Sequence, residues 1–347
     1  MRTEKTLKVI VNGRSLARQL TGVERFSGQV LRHLKGRVRV IQPPKRLAGP
    51  VGHAWEQFYL PLMVGRRAIL FSPANTGPLL VSHQVIMIHD LSALDHPQWF
   101  RPAFARLYRT LLPRLVDRSL AVIVPSRFTR RRLLAYPWAD PQTIFVVPAG
   151  VDRAFFYPRS PGEVDAVRRR YGLSGEYFLA VGSLQPRKNL TALLSAWKHL
   201  AADRPHLSLV IVGAPAAHFA RQVLDPLPPG VRFLGYLPDR DLPALYSGAL
   251  ALVSPSLYEG FGLPLLEAMA CGTPVAASHC GALPELVDGC GLFFDPHRPQ
   301  DIATCLERLA ADRHLRLELG ASGLERSRRY DWDQTARSIW GRIQAFA

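Results

Sequence analysis

Short apolar runs recur along the chain, with enough residues between them for a helix and two turns. KVIVN at 8–12 is the first, followed by AILFS at 68–72, VIMIH at 85–89, AVIVP at 121–125 and IFVVP at 144–148. Most are continuously apolar rather than alternating, which is the pattern of strands covered on both faces. FSGQVLRHL after the first run, and residues 104–115 and 127–135 later, carry apolar positions at helical spacing. Strands alternating with helices predict a parallel sheet with helices packed on both sides.

The pattern then restarts. A Pro-, Gly- and Arg-rich stretch, 156–175, reads as a linker. Beyond it come strands at 177–182 (YFLAVG), 207–213 (LSLVIVG), 231–234, 250–254 and 275–278, with helices at 190–200 and 242–247 among them. Residues 333–346 predict a last helix with Trp340 and Ile343 on one face. The expected class is α/β, with two doubly wound, Rossmann-like domains at 1–155 and 176–330. A helix at 331–347 is expected to return to the first domain. In such sheets ligands bind beyond the C-terminal strand ends, so two domains facing each other would enclose a cleft.

One corner holds unusual chemistry. SLYEGFGLPLLEAMACGTPVAAS, residues 256–278, reads as a glycine-rich turn, a helix and a strand. Pro264 suits the start of that helix and Gly272 its end. Glu259 lies on the turn and Glu267 about one turn inside the helix, so the two acids bracket a helix N-terminus. Unpaired amides at such an end suit a phosphate, whereas flanking carboxylates repel one and prefer hydroxyls. A ligand with phosphates at its centre and polyols at both ends, such as a nucleotide sugar, fits that arrangement. The same spacing also suits an ordinary loop followed by a solvated helix.

Other residues fall at strand ends. Gly182, Ser183, Arg187 and Lys188 follow the 177–182 run, where two cations could neutralise a diphosphate; Asn189 is placed to cap the next helix. His89 and Asp90 end the 85–89 run, where a neutral imidazole could bond a sugar hydroxyl. Gly22 follows the first strand, where backbone could approach a phosphate. An exposed basic turn, a structural histidine and a plain loop are the competing explanations. DRD at 239–241 and DWD at 331–333 look like metal-binding D-x-D motifs, but both precede predicted helices, where Asp serves as cap and dipole partner.

Charge adds an asymmetry. The 347 residues carry a formal +17, and residues 1–150 hold 23 Lys/Arg against 7 Asp/Glu, a net of +16. Arg130, Arg131 and Arg132 lie in its densest cluster, SRFTRRR. An anionic surface facing the first half is implied: membrane lipid, a lipid-phosphate acceptor or nucleic acid. Most of these residues are Arg, so the base composition of the coding DNA is a rival explanation. The charged N-terminus running into a strand predicts no signal peptide. No apolar run is long enough to span a bilayer. Cys271, Cys280, Cys290 and Cys305 lack C-x-x-C spacing and read as reduced structural thiols in a cytoplasmic protein.

Taken together, these residues resemble the retaining glycosyltransferases of family 4, which have the GT-B fold. The resemblance spans nearly the whole chain. It rests on the two glutamates eight apart in EGFGLPLLE, on GSLQPRKNL, IHDL, VPSRF and VPAGVD, and on FLGYLPDRDLPALY at 233–246. It is closest to bacterial mannosyl- and rhamnosyltransferases of lipopolysaccharide and exopolysaccharide synthesis. It implies that Glu267 holds the ribose hydroxyls and Glu259 a hydroxyl of the donor sugar. The amides of Phe261, Gly262 and Leu263 would face the diphosphate, and Arg187 and Lys188 would stabilise its departure. His89 would contact the transferred sugar, Gly22 would belong to a loop over the donor, and the base would lie near Gly235 and Tyr236. Many members of the family carry Arg where this chain has Ser183.

The resemblance implies transfer of a hexose, with GDP-mannose favoured as donor, to a lipid-linked glycan acceptor. It implies retention of anomeric configuration, no metal and no further cofactor. The expected location is cytoplasmic, peripheral on the inner face of the plasma membrane. Another nucleotide sugar, a nucleotide-sugar epimerase and a degenerate assembly subunit are alternatives, and nucleic-acid binding would rest on charge alone.

Overall fold

Every apolar run singled out above becomes a strand, and the strands form two six-stranded, wholly parallel sheets. The computed structural model describes residues 8–17, 22–47, 51–65, 67–214, 219 and 227–346. These divide into two compact units. One comprises the described residues of Met1–Pro97, Pro102–Gly150 and Asp331–Ala347; the other comprises those of Gln98–Arg101 and Val151–Tyr330.

The first sheet contains β1 (Lys8–Asn12), β2 (Arg39–Ile41), β3 (Ala68–Ser72), β4 (Gln84–Met87), β5 (Ala121–Val124) and β6 (Ile144–Val146). Its order is β2-β1-β3-β4-β5-β6. The second contains β7 (Tyr177–Val181), β8 (Ser208–Val212), β9 (Val231–Gly235), β10 (Ala251–Ser254), β11 (Val275–Ser278) and β12 (Leu292–Phe294), in the order β12-β11-β10-β7-β8-β9. Strand order reverses between β1 and β3 in one unit and between β7 and β10 in the other. Helices leave to opposite faces at such a point, opening a crevice beyond the strand ends.

Burial follows the pleat. In β7, Tyr177 and Leu179 enter one core cluster while Phe178 and Ala180 enter the other, beside Trp197. Two strands escape the pattern reading, β2 and β12. Both are three-residue edge strands: Arg39 interrupts the apolar run of β2 and Asp295 ends that of β12 after three residues, whereas the equally short β6 sits in the longer run IFVV.

One boundary differs from the sequence reading. The stretch 156–175 is no linker: Pro161–Arg170 is a helix of the second unit. Ser160 accepts from the Glu163 amide and Glu163 reaches back to Ser160, a capping box with Pro161 behind it. Only Val167 on this helix is buried, so the apolar pattern that reveals a helix is missing. The last helix, Trp332–Gln344, belongs to the first unit. Trp332 meets Phe26 edge-on at 5.4 Å, and the Thr335 hydroxyl donates to the Pro148 carbonyl at 2.8 Å.

Candidate active site

At the switch point of the second unit, β10 leads into the turn that carries Glu259, and β7 leads into the turn that carries Lys188. Gly182 follows β7 with φ +154°, and a Cβ there would lie 3.0 Å from Lys188 Cε. A side chain at 182 would therefore displace the lysine that runs across the strand end. Lys188 Nζ donates to Glu259 Oε1 at 2.5 Å, and Arg187 Nη1 approaches Glu259 Oε2 at 3.5 Å. The Ser256 hydroxyl donates to Glu259 Oε1 at 2.9 Å. Arg187 is fixed by Gln185 Oε1 at 2.8 Å and by the Tyr258 carbonyl at 3.3 Å. Burial would raise the Glu259 pKa, but the charges of Lys188 and Arg187, with bonds from Lys188 and Ser256, hold it at about 2. One carboxylate thus fixes two cations, leaving a net positive charge at the strand ends.

The Leu263–Ala270 helix starts directly behind this cluster. Gly262 precedes it with φ +110°, a conformation that favours glycine, and Pro264 occupies its first turn. Gly272, at φ +70°, follows its end as read from the sequence. Glu267 is buried and accepts from the Tyr246 hydroxyl at 2.9 Å. Phe261 packs edge-on against Tyr330 at 5.7 Å. Ser183 lies half-buried on the turn after Gly182. On the far side of β8, the Gly235 carbonyl accepts from the Gly213 amide at 2.8 Å, and Tyr236 is half exposed.

Sequence reasoning missed the supports. Gly281, at φ +64°, would place a Cβ 2.7 Å from both Glu259 N and Glu259 O, while the Ala282 amide donates to the Glu259 carbonyl at 2.9 Å. Gly213 would place a Cβ against the Gly182 carbonyl. Ser256 and Tyr246, which bond the two glutamates, stand in the stretches quoted above, but nothing in those stretches marks them as the partners. Asn189 has left-handed backbone (φ +53°) and makes no side-chain cap; its Nδ2 instead donates to the Pro296 carbonyl at 2.8 Å.

The D-x-D pairs separate. Asp331 caps the last helix by accepting from the Asp333 amide. Asp241 caps nothing: it is buried against Arg170 at 2.5 Å and the Tyr171 hydroxyl at 2.6 Å.

The first unit has its own cluster. His89 Nε2 donates to the Pro73 carbonyl at 2.7 Å, its backbone amide donates to Asn75 Oδ1 at 2.5 Å, and Phe26 meets its ring edge at 4.9 Å. Burial pushes its pKa down, against opposing pulls from the Pro73 bond, Asp90 and Glu24. The ring is therefore held neutral with Nδ1 as acceptor. At the switch point between β1 and β3 lies a group the sequence reading did not find. Glu56 Oε1 accepts from Asn12 Nδ2 at 2.6 Å, Arg14 Nε at 3.1 Å and the Thr76 hydroxyl at 3.1 Å. Burial would raise its pKa; the Arg14 charge foremost, then His53 and Asn12, hold it at about 2. Gly22 is the exposed first residue of the Gly22–His33 helix, and residues 18–21 lie outside the described part.

The Arg130–Arg132 cluster is not three free charges. Arg132 forms a two-pronged pair with Asp95 at 2.9 and 2.8 Å, and Arg130 lies within 3.4 Å of the Ile144 and Pro141 carbonyls. Arg131 is the exposed member of the three. Among the described residues no helix is long and apolar enough to cross a membrane.

Residues 175–312 match the family Glycosyl transferases group 1, and residues 57–155 match Glycosyltransferase Family 4. The O-antigen chain mannosyltransferase B of Escherichia coli is 32% identical over 342 residues, covering 93% of this chain and 87% of that protein. A D-inositol 3-phosphate glycosyltransferase from Actinosynnema mirum is 37% identical over 58% of this chain and 51% of its own. Anabaena HepE, solved with UDP-glucose, superposes with a TM-score of 0.79 over 98% of this chain and all of its own, at 19% identity. That last likeness concerns the fold, which is GT-B. With two parallel sheets, the paired glutamates and a relative alike over nearly its full length, the chain belongs to the family 4 glycosyltransferases.

Proposed function

We propose that the protein is a retaining hexosyltransferase that takes mannose from GDP-mannose and adds it to a lipid-linked glycan in cell-surface polysaccharide synthesis. The observation that carries this reading is the Lys188–Glu259–Arg187 cluster at the switch point, in a chain 32% identical to an O-antigen mannosyltransferase. The leaving diphosphate lies against the amides of Phe261, Gly262 and Leu263, with Gly182 and Ser183 alongside, and Arg187 and Lys188 offset its growing charge. Glu267 holds ribose hydroxyls, the base lies by Gly235 and Tyr236, and Glu259 holds a hydroxyl of the sugar. His89, neutral with Nδ1 as acceptor, takes another hydroxyl, and Gly22 borders the donor. The acceptor attacks on the face the diphosphate leaves, so a phosphate oxygen takes its proton and no carboxylate base is needed. No metal or further cofactor takes part. The enzyme works as a peripheral protein on the cytoplasmic side of the plasma membrane.

A melting-temperature screen with GDP, UDP, dTDP and ADP tests the donor, because a ligand that binds only the folded state raises the transition. GDP should give the largest rise. A larger rise with UDP or dTDP would move the donor to a glucosyl or rhamnosyl nucleotide. Proton NMR of the first product with EDTA present tests the chemistry: an inverted anomer, or activity restored only by magnesium, would overturn retention without metal.

A further inference from the structure

Val51–Ala54, Trp55–Tyr59 and Leu60–Val64 form one continuous helical segment, with π spacing in its middle part. Trp55, Glu56, Leu60 and Val64 are buried. The outer face is apolar: Phe58 is 73% exposed, Tyr59 51% and Leu62 79%. Glu56, the only acid between Arg46 and Arg67, is turned inward to Arg14. No carboxylate of the segment therefore remains on the outer face.

The patch continues beyond the helix. Gln57 Nε2 donates to the Gly77 carbonyl at 2.8 Å and Gln57 Oε1 accepts from the Leu79 amide at 3.0 Å. This brings Leu80, 73% exposed, beside the outer face. Arg118 Nη1 in turn donates to the Leu79 carbonyl at 3.3 Å, and on the same helix Arg114 and Asp117 are exposed as well, so two cations and one carboxylate border the patch, a net positive rim. Exposed large apolar side chains with a basic rim are the composition of a helix that lies in a membrane interface.

We infer that this face docks on an anionic bilayer, with Phe58, Leu62 and Leu80 entering the acyl boundary and Arg114 and Arg118 at the lipid phosphates. The inference rests on the peripheral-membrane reading and gives it a location, away from Arg132 and its partner Asp95. Charge selects the occupant. The first 150 residues carry a net +16, so a second copy would set like charges against each other, whereas an anionic surface complements them.

Sedimentation of the full chain with phosphatidylglycerol-containing and pure phosphatidylcholine vesicles tests this, alongside two variants. Phe58→Ser/Leu62→Ser should keep the wild-type melting temperature and bind anionic vesicles about ten-fold or more weakly. Leu62→Trp should gain blue-shifted emission on anionic vesicles relative to wild type, whereas Leu317→Trp, at an exposed site of the second unit, should not. Wild-type binding with neither variant responding would overturn this face and leave the membrane reading standing. No binding to anionic vesicles at all would overturn both. A wild-type dimer that the double serine variant dissociates would assign the face to a second copy and overturn the inference.

Discussion

Lys188 Nζ and Glu259 Oε1 lie 2.5 Å apart although 71 residues separate them in the chain. The turns after β7 and β10 meet because those strands are neighbours in the sheet, paired Ala251 to Phe178 and Leu252 to Leu179. The carboxylate is the common anchor of Lys188 and Arg187, so its removal should disturb both. Glu259→Ala should cost about 3 kcal/mol of stability, because breaking a buried pair strands the remaining charge. Chemical denaturation measures this; an unchanged midpoint would mean the cations are held by other partners.

Lys188→Ala and Arg187→Ala should act mainly on turnover, since their charge answers charge that develops as the diphosphate leaves. Each should lower kcat by about 10²-fold while nucleotide affinity falls much less. Steady-state kinetics separates the two. Near-normal kcat in the lysine variant would place the needed charge elsewhere and make Ser183 the mark of a rearranged site.

Tyr246 and Glu267 form a second testable pair. Glu267→Ala should weaken nucleotide binding by roughly 1–3 kcal/mol, the cost of leaving buried partners unsatisfied. Tyr246→Phe removes the hydroxyl that bonds the carboxylate at 2.9 Å and should produce a smaller loss in the same direction. Calorimetry with the nucleotide checks both, and equal affinity in all three proteins would remove Glu267 from the nucleotide site.

Gly281→Ala touches no proposed ligand contact, yet it should lower both stability and activity. Its Cβ would fall 2.7 Å from the Glu259 backbone at a φ of +64°, which costs more than about 1 kcal/mol. Gly36→Ala, at φ +82° with open space around it, supplies the control: its melting temperature should fall, but its kcat should not.

Acid should unfold the protein in a defined window. Glu56 and Glu259 titrate at about 2 in the fold against 4.5 as the ordinary value. Such depressed carboxyls contribute stability that is full above 4.5 and lost as pH falls toward 2. His89 adds an earlier loss: its folded pKa lies below 6.5, so the unfolded chain takes the proton first and stability declines as pH drops through that value. Thermal melts across this range should steepen below 4.5, and Glu56→Gln should flatten part of that slope. Nitrogen-15 NMR at neutral pH should find His89 uncharged, with its proton on Nε2.

Sequence alone determined the ten strands that lie in apolar runs, the two sheets and the bracketing of a helix start by Glu259 and Glu267. These depend on local rules: continuous apolar runs make covered strands, and glycine followed by proline opens a helix. It could not yield β2, whose apolar run is broken by Arg39, or β12, whose run stops at Asp295 after three residues, nor the Pro161–Arg170 helix, which buries only Val167. Tertiary structure decided which charges meet. Arg132 in a basic cluster is indistinguishable by sequence from a free cation until the fold brings Asp95 to it. Glu56 resembles an ordinary helix acid until the switch point of the first sheet delivers Asn12, Arg14 and Thr76. Gly281 reads as a turn until the Glu259 backbone closes over it. Periodicity reports which face of an element is buried, but a long-range partner is fixed only when strand order sets two distant turns side by side.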